Sequence, residues 1–149
     1  MVQKSILKAK IQLQQLLGQK GNDAGLLLFR LVFGGLMVKL HGWTKWQNFS
    51  DWLPEYPDPL GMGKEVSLLL SILMQVVGCW ALILGVQTRL VALMLSSTMF
   101  IAAFVVKSGS TFLERELALL YAFAYLGLFL TGAGKYTAGH IASIIFKSK

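Results

Sequence analysis

The sequence predicts an all-α integral membrane protein: an antiparallel four-transmembrane-helix bundle preceded by an N-terminal amphipathic interfacial helix. Three observations carry that prediction. Hydrophobic residues make up 55% of the 149-residue chain and charged residues only 14%, with a mean hydropathy of +0.61. A soluble domain has about 25% charged residues, so this chain lacks the polarity that a water-facing surface needs. Four apolar runs, at about 24–42, 65–85, 89–106 and 113–131, come close to the roughly 20 helical residues that span a bilayer core of about 30 Å. Inside those runs stand a few polar residues, Arg30, Lys39 and Gln75 above all. A charge at the centre of a membrane helix costs about 2.5–3.5 kcal/mol on insertion scales, so these residues call for partner helices that shelter them.

Residues 1–20 are helix-prone and amphipathic. Ile6, Leu7, Ile11, Leu13, Leu16 and Leu17 alternate with Lys4, Lys8, Lys10, Gln12, Gln14 and Gln15, a pattern too polar to span and suited to the headgroup plane. Gly18 and Gly21-Asn22 are expected to break this helix, and Asp23 to N-cap the first span. Within that span Gly34-Gly35 permits close approach of a neighbouring helix. Trp43, Trp46, Phe49 and Trp52 then recur every three residues, an aromatic face for the membrane–water boundary. Pro54, Pro57 and Pro59 end helical structure. The connection 43–63 reads either as a lid over one end of the bundle or as an anchored connector.

In the second span Gln75 is a buried amide that needs hydrogen-bond partners and should face another helix. The turn Val86-Gln87-Thr88-Arg89 is short enough to allow only an antiparallel neighbour. Ser96, Ser97 and Thr98 in the third span bond either across to neighbours or back to their own helix. The fourth span opens with Glu114, Arg115 and Glu116, carries Tyr121 and Tyr125, and ends in Gly132-Ala133-Gly134-Lys135-Tyr136. The chain thus divides into an interfacial segment (1–22), a four-helix membrane domain (23–136) and a short basic tail (137–149). No cleavable signal peptide is expected, because the first apolar run starts only after Asp23 and no small-residue cleavage site follows it.

The net charge of +7 and pI near 9.7 come from residues that flank apolar runs and do not form one continuous face. Anionic lipid headgroups, not nucleic acid, account for them. Four crossings put Lys4, Lys8, Lys10, Lys20, Arg89, Lys135, Lys147 and Lys149 on one side and Lys45, Lys64, Lys107 and Arg115 on the other. The richer side should be cytoplasmic, so both termini are expected inside and the 43–63 connection outside. The single cysteine, Cys79, excludes an intramolecular disulfide and reads as a small buried apolar residue.

Two polar clusters are expected. At 1.5 Å per residue, Arg30 lies at about the depth of Cys79 and Tyr125, with Gln75 one turn deeper. Arg30, Gln75 and Tyr125, with Tyr121 nearby, are therefore the candidate ligand-binding cluster; the alternative is that Arg30 reaches to the headgroups by itself. At the outer end Lys39, His41, Trp43, Lys45, Glu114 and Glu116 are expected to form a polar, aromatic-rimmed mouth with a Lys39–Glu116 pair. No catalytic residue and no metal site is expected. His41 and His140 belong to opposite faces and cannot share a haem, no His/Cys/acid cluster has metal spacing, and no phosphate loop follows a strand.

The residues from about Asp23 to Tyr136 resemble the DoxX family of small four-span bacterial membrane proteins. The resemblance is carried by Arg30 followed by Gly34, by His41-Gly42-x-x-Lys45, and by Pro57-Asp58-Pro59-Leu60-Gly61. Further marks are Leu84-Gly85-x-x-Thr88-Arg89, Glu116-x-Ala118-Leu119-Leu120-Tyr121 and Gly132-x-Gly134-Lys135-Tyr136. The family commonly has a glutamate in the second span where this chain has Gln75. The resemblance would pair that acid with Arg30, whereas an amide neither carries a counter-charge nor titrates. It implies a multi-pass protein of the bacterial cytoplasmic (inner) membrane, associated with quinol oxidase, thiosulfate:quinone or thiol-redox assemblies.

The leading functional expectation is a membrane subunit or partner of a redox assembly with an intramembrane pocket for a quinone. It has no covalent or metal cofactor, and the lipid bilayer, a redox enzyme and further copies of the chain are its partners. The alternatives are a non-catalytic scaffold whose polar residues only specify helix packing, and a small-molecule carrier using the outer mouth.

Overall fold

The computed structural model of the protein describes the backbone of residues 2–147 and the side chains of residues 18–143. Among the described residues all regular structure is helical. Four long rods are joined by one long and two short connections. The first rod is α1 (Val2–Met37), a π-helical turn (Val38–Gly42) and α2 (Trp43–Gln47). A short helix, α3 (Phe49–Trp52), opens the long connection. The second rod is α4 (Lys64–Leu73), a π-helical turn (Met74–Gly78) and α5 (Cys79–Leu84). The third is α6 (Thr88–Ile101) with a π-helical turn (Ala102–Val106), and the fourth is α7 (Phe112–Thr131). Helix α8 (Ala138–Lys147) follows.

Rods two to four lie within a residue or two of the apolar runs that predict them. Among the described residues three helices are long and apolar enough to cross a membrane: Gly18–Gln47, Lys64–Leu84 and Thr88–Val106. Helix α7 has the length, but Glu114, Arg115 and Glu116 crowd its first turn and dilute its apolar character. Residues such as Leu28, Trp80, Leu90, Phe123 and Leu130 are more than half exposed on the rods' outer faces. An apolar exterior of this kind fits lipid, not water.

The expected break between the leading segment and the first span is absent. Helix α1 passes through Gly18, Gly21 and Asn22 without interruption, since an isolated glycine weakens a helix by only about 1 kcal/mol. Asp23 therefore caps nothing in its own helix. Its carboxylate instead accepts a hydrogen bond from the backbone N–H of Lys135 (3.1 Å) and lies 4.0 Å from the Lys135 ammonium. The amphipathic pattern of the leading segment falls largely on side chains outside the described residues. The first span likewise does not stop at Gly42: the π-helical turn carries it on to Gln47, and the break comes at Asn48 (φ −111°, ψ 38°).

The core runs between the rods, from Met37 through Cys79, Leu82, Ala92 and Leu95 to Tyr121, Ala122, Tyr125 and Leu128. The first two rods meet closely at Gly42, where an added Cβ would lie 2.7 Å from Val76 Cγ2 and 3.1 Å from the Gln75 carbonyl carbon. Of the Gly34-Gly35 pair only Gly34 faces the second rod, against Ile83; Gly35 looks into open space. The third and fourth rods are tied by the buried Ser96 hydroxyl, which donates to the Ala122 carbonyl (2.9 Å). Ser97 and Thr98 bond back to Leu93 and Met94, each at 2.9 Å, so both readings of that triplet occur, divided by which face each residue occupies.

Candidate functional site

The two ends of the bundle carry different polar chemistry. At the end holding the short turns, Arg30 is fully buried (0% exposed). Its Nη1 donates to the carbonyls of Leu82 (3.3 Å) and Ile83 (3.2 Å), and its Nη2 donates to the Tyr136 carbonyl. Leu82 and Ile83 are in the last turn of α5, where helix carbonyls lack their regular i+4 partners and carry partial negative charge. Gly85, in the left-handed conformation (φ +76°), ends that helix. A Cβ there would lie 2.5 Å from Arg30 Nη1, so glycine both turns the chain and makes room for the guanidinium. Asp23 and Arg30, two helical turns apart on one rod, thus hold the Lys135 N–H and the Tyr136 C=O respectively. The Gly-x-Gly-Lys-Tyr segment after α7 is latched onto the first rod through its backbone.

The expected Arg30–Gln75–Tyr125 cluster does not form. The depth register is sound: the Cys79 sulfur lies 3.7 Å from the Tyr125 hydroxyl, which also donates to the Phe33 carbonyl (3.3 Å). Arg30 nevertheless turns toward the helix end, because carbonyls there match a fork of five donors better than one amide does. Tyr125 is buried among apolar residues, with Tyr121 tilted beside it at 5.9 Å between ring centroids.

Gln75 belongs to the other end. It is 4% exposed, and its Oε1 accepts from the Lys45 ammonium at 3.1 Å; Lys45 also donates to Ser71 Oγ at 3.0 Å. The Tyr56 ring lies 5.5 Å from the same nitrogen, within cation–π range. An acid at position 75 would face this lysine, not Arg30. Beside the trio opens a cavity of about 500 Å³, within the range of small-molecule sites. Its walls are Met37, His41 and Lys45 of the first rod, Leu70, Ser71, Met74 and Gln75 of the second, Met99 and Ala102 of the third, and Ala118 and Tyr121 of the fourth. Trp52, Tyr56, Pro57, Pro59, Leu60 and Met62 of the long connection line its remaining side. Residues of all three π-helical turns line this cavity: His41 from the first, Met74 and Gln75 from the second, Ala102 and Val106 from the third. Each π-turn re-aims the side chains that follow it, and such turns cluster at functional sites.

The connection is held in place by Asp58, whose carboxylate accepts from the N–H groups of Met62 (3.0 Å) and Gly63 (2.8 Å) and from Ser67 Oγ (2.7 Å). These bonds, led by that from Ser67, hold the Asp58 carboxyl below its usual range. Lys64 Nζ donates to the Pro54 carbonyl (2.6 Å), and burial pushes the Tyr56 phenol up.

Of the expected mouth, His41 and Lys45 line the cavity, and His41 stacks edge-on against Tyr121 at 6.0 Å. Lys39, Trp43, Glu114 and Glu116 are exposed and off it. The Lys39–Glu116 pair is absent, the only ion pair among the described residues being Lys135–Asp23. The reason is helical phase: the π-turn at Val38–Gly42 rotates His41 and Lys45 inward and leaves Lys39 outward. Tyr56, Ser71 and Lys107 also line the cavity, and sequence reasoning did not assign Tyr56 or Ser71; the i, i+4 spacing of Ser71 and Gln75 on one helix face was the available signal. Among the described residues no three His, Cys, Asp or Glu side chains converge on a metal position. A second hollow, along Gly18–Phe29, is walled among the described residues by the first rod alone.

Helices of membrane-spanning length with apolar outer faces define a membrane protein. The family model described as DoxX matches residues 25–108, more than half of the chain, and the protein belongs to the DoxX family. No curated protein and no solved structure matches it.

Proposed function

We propose that the protein is a membrane subunit or partner of a redox assembly, and that its cavity holds a quinone-like apolar molecule. The observation that carries this reading is the convergence of three π-helical turns on one cavity of about 500 Å³ whose walls are mainly methionine, leucine and aromatic side chains, with the hydrogen-bonded trio Lys45–Ser71–Gln75 at one side. That arrangement suits a flat apolar ring with one carbonyl or hydroxyl to anchor. In this reading a redox enzyme supplies or removes the electrons. Helix α7 is then the fourth crossing, and both termini face the cytoplasm of a bacterial inner membrane, where the basic residues concentrate.

Protein purified from native membranes in mild detergent and extracted with organic solvent should release a quinone in near-stoichiometric amount, detected by mass spectrometry. Filling the cavity with Ala118→Trp should abolish that recovery while the protein stays folded. Recovery of lipids alone from the wild type would remove the proposal.

A second reading, a scaffold whose polar groups only specify packing, is favoured by one observation: every hydrogen bond of Arg30 goes to a backbone carbonyl of this chain. It predicts that cavity-filling substitutions leave cellular function intact.

A further inference from the structure

Every charged side chain on the cavity wall is basic. Lys45 and His41 of the first rod and Lys107 after the third line it; among the described residues no Asp or Glu does. The nearby acids are engaged or face outward. Asp58 is occupied by Met62, Gly63 and Ser67, and Asp51, Glu55, Glu65, Glu114 and Glu116 are exposed. Lys45 itself is half-buried, and its two described side-chain partners, Ser71 and Gln75, are neutral. An ammonium has three N–H donors; two are used here, and the third remains for a guest beside the Tyr56 ring. Burying a cation without an opposite charge is unfavourable, whereas an anionic oxygen would form a charge-assisted bond, the stronger kind.

We propose that this cavity takes an apolar molecule through an acidic oxygen, a phenolate or carboxylate, seated on Lys45. The inference rests on the reading of the cavity as a small-molecule pocket and narrows its ligand class. A ring acid and a fatty acid share this chemistry, and the test separates them.

Full-length protein in nanodiscs is titrated at pH 7 with 2-hydroxy-1,4-naphthoquinone, which is anionic there, with neutral 1,4-naphthoquinone, and with dodecanoate. The expected result is that the hydroxyquinone binds roughly tenfold more tightly than its neutral parent, the increment of a charged over a neutral hydrogen bond. Lys45→Gln should erase the difference, and Lys20→Gln, at the far end of the first rod, should keep it. Should Lys45→Gln fail to fold, Lys45→Arg preserves the charge and should preserve the anion preference. Equal binding of the two naphthoquinones overturns the inference and leaves the quinone reading standing. Binding of dodecanoate with the same Lys45 dependence, and of neither naphthoquinone, supports the acidic-oxygen inference and overturns the quinone reading. No binding of any of the three overturns both.

Discussion

Arg30 shows how a buried charge is tolerated without a buried acid. Its guanidinium sits on carbonyls at a helix end, that of Leu82 shared with the Gly85 N–H, so the partial charges of α5 and of the Tyr136 turn replace a counter-ion. Lysine at this position is a point charge with a shorter reach and cannot fork over three carbonyls. Arg30→Lys and Arg30→Leu should both lower the thermal unfolding midpoint in detergent, by the equivalent of about 1.5–3 kcal/mol for the loss of hydrogen bonds to a charged group. An unchanged midpoint in both would show that the contacts do not stabilise the fold. Asp58, a partly exposed carboxylate, is likewise satisfied by donors of its own segment. Because its folded carboxyl is held below the ordinary range, its contribution to closing the long connection is complete above about pH 4, the unperturbed value, and is lost as pH falls further. Hydrogen exchange at the Met62 and Gly63 amides, corrected for intrinsic rates, should stay slow from pH 7 to about 4 and accelerate below. Asp58→Ala should show fast exchange at every pH, and equal protection in the variant would contradict the assignment.

At the scale of elements, the glycines separate into those that permit packing and those that do not. Gly42→Ala places a methyl group against the backbone of Gln75 and should destabilise by about 1–3 kcal/mol, the usual cost of overpacking. Gly35→Ala meets open space and should be neutral or stabilising by up to about 1 kcal/mol through helix propensity. Comparing the two midpoints checks this directly; equal effects would contradict the close approach of the first two rods. The sequence carried the existence and limits of the second, third and fourth rods, because apolar run length alone sets them. It did not carry the π-helical turns, which have no residue signature here, and so the phase of each rod beyond its π-turn was illegible. That phase is why Lys39 falls outside the mouth; Gln75 pairs with Lys45 and not with Arg30 because Arg30 finds its acceptors at a helix end, which depth counting does not show. Asp23 was misread for a related reason: local preference made it an N-cap, and the partner that claims it, Lys135, is 112 residues away.

For the molecule as a whole, four crossings require the 53–63 strap and the turns at 85–88 and 132–137 to lie on opposite faces of the membrane. In a Cys79→Ser background reconstituted into oriented vesicles, Glu55→Cys and Lys135→Cys should label with a membrane-impermeant maleimide from opposite sides. Both residues are exposed, so labelling of both from one side would contradict the fourth crossing. Composition and run length by themselves determined that the chain is a helical membrane protein, because lipid imposes one demand, apolar helices of a set length, that any sequence displays openly. Only the tertiary structure decided which polar groups meet. Buried donors choose acceptors by geometry, and the free carbonyls at a helix end, the rotation introduced by a π-turn and the closeness allowed by Gly42 exist only once the rods are packed.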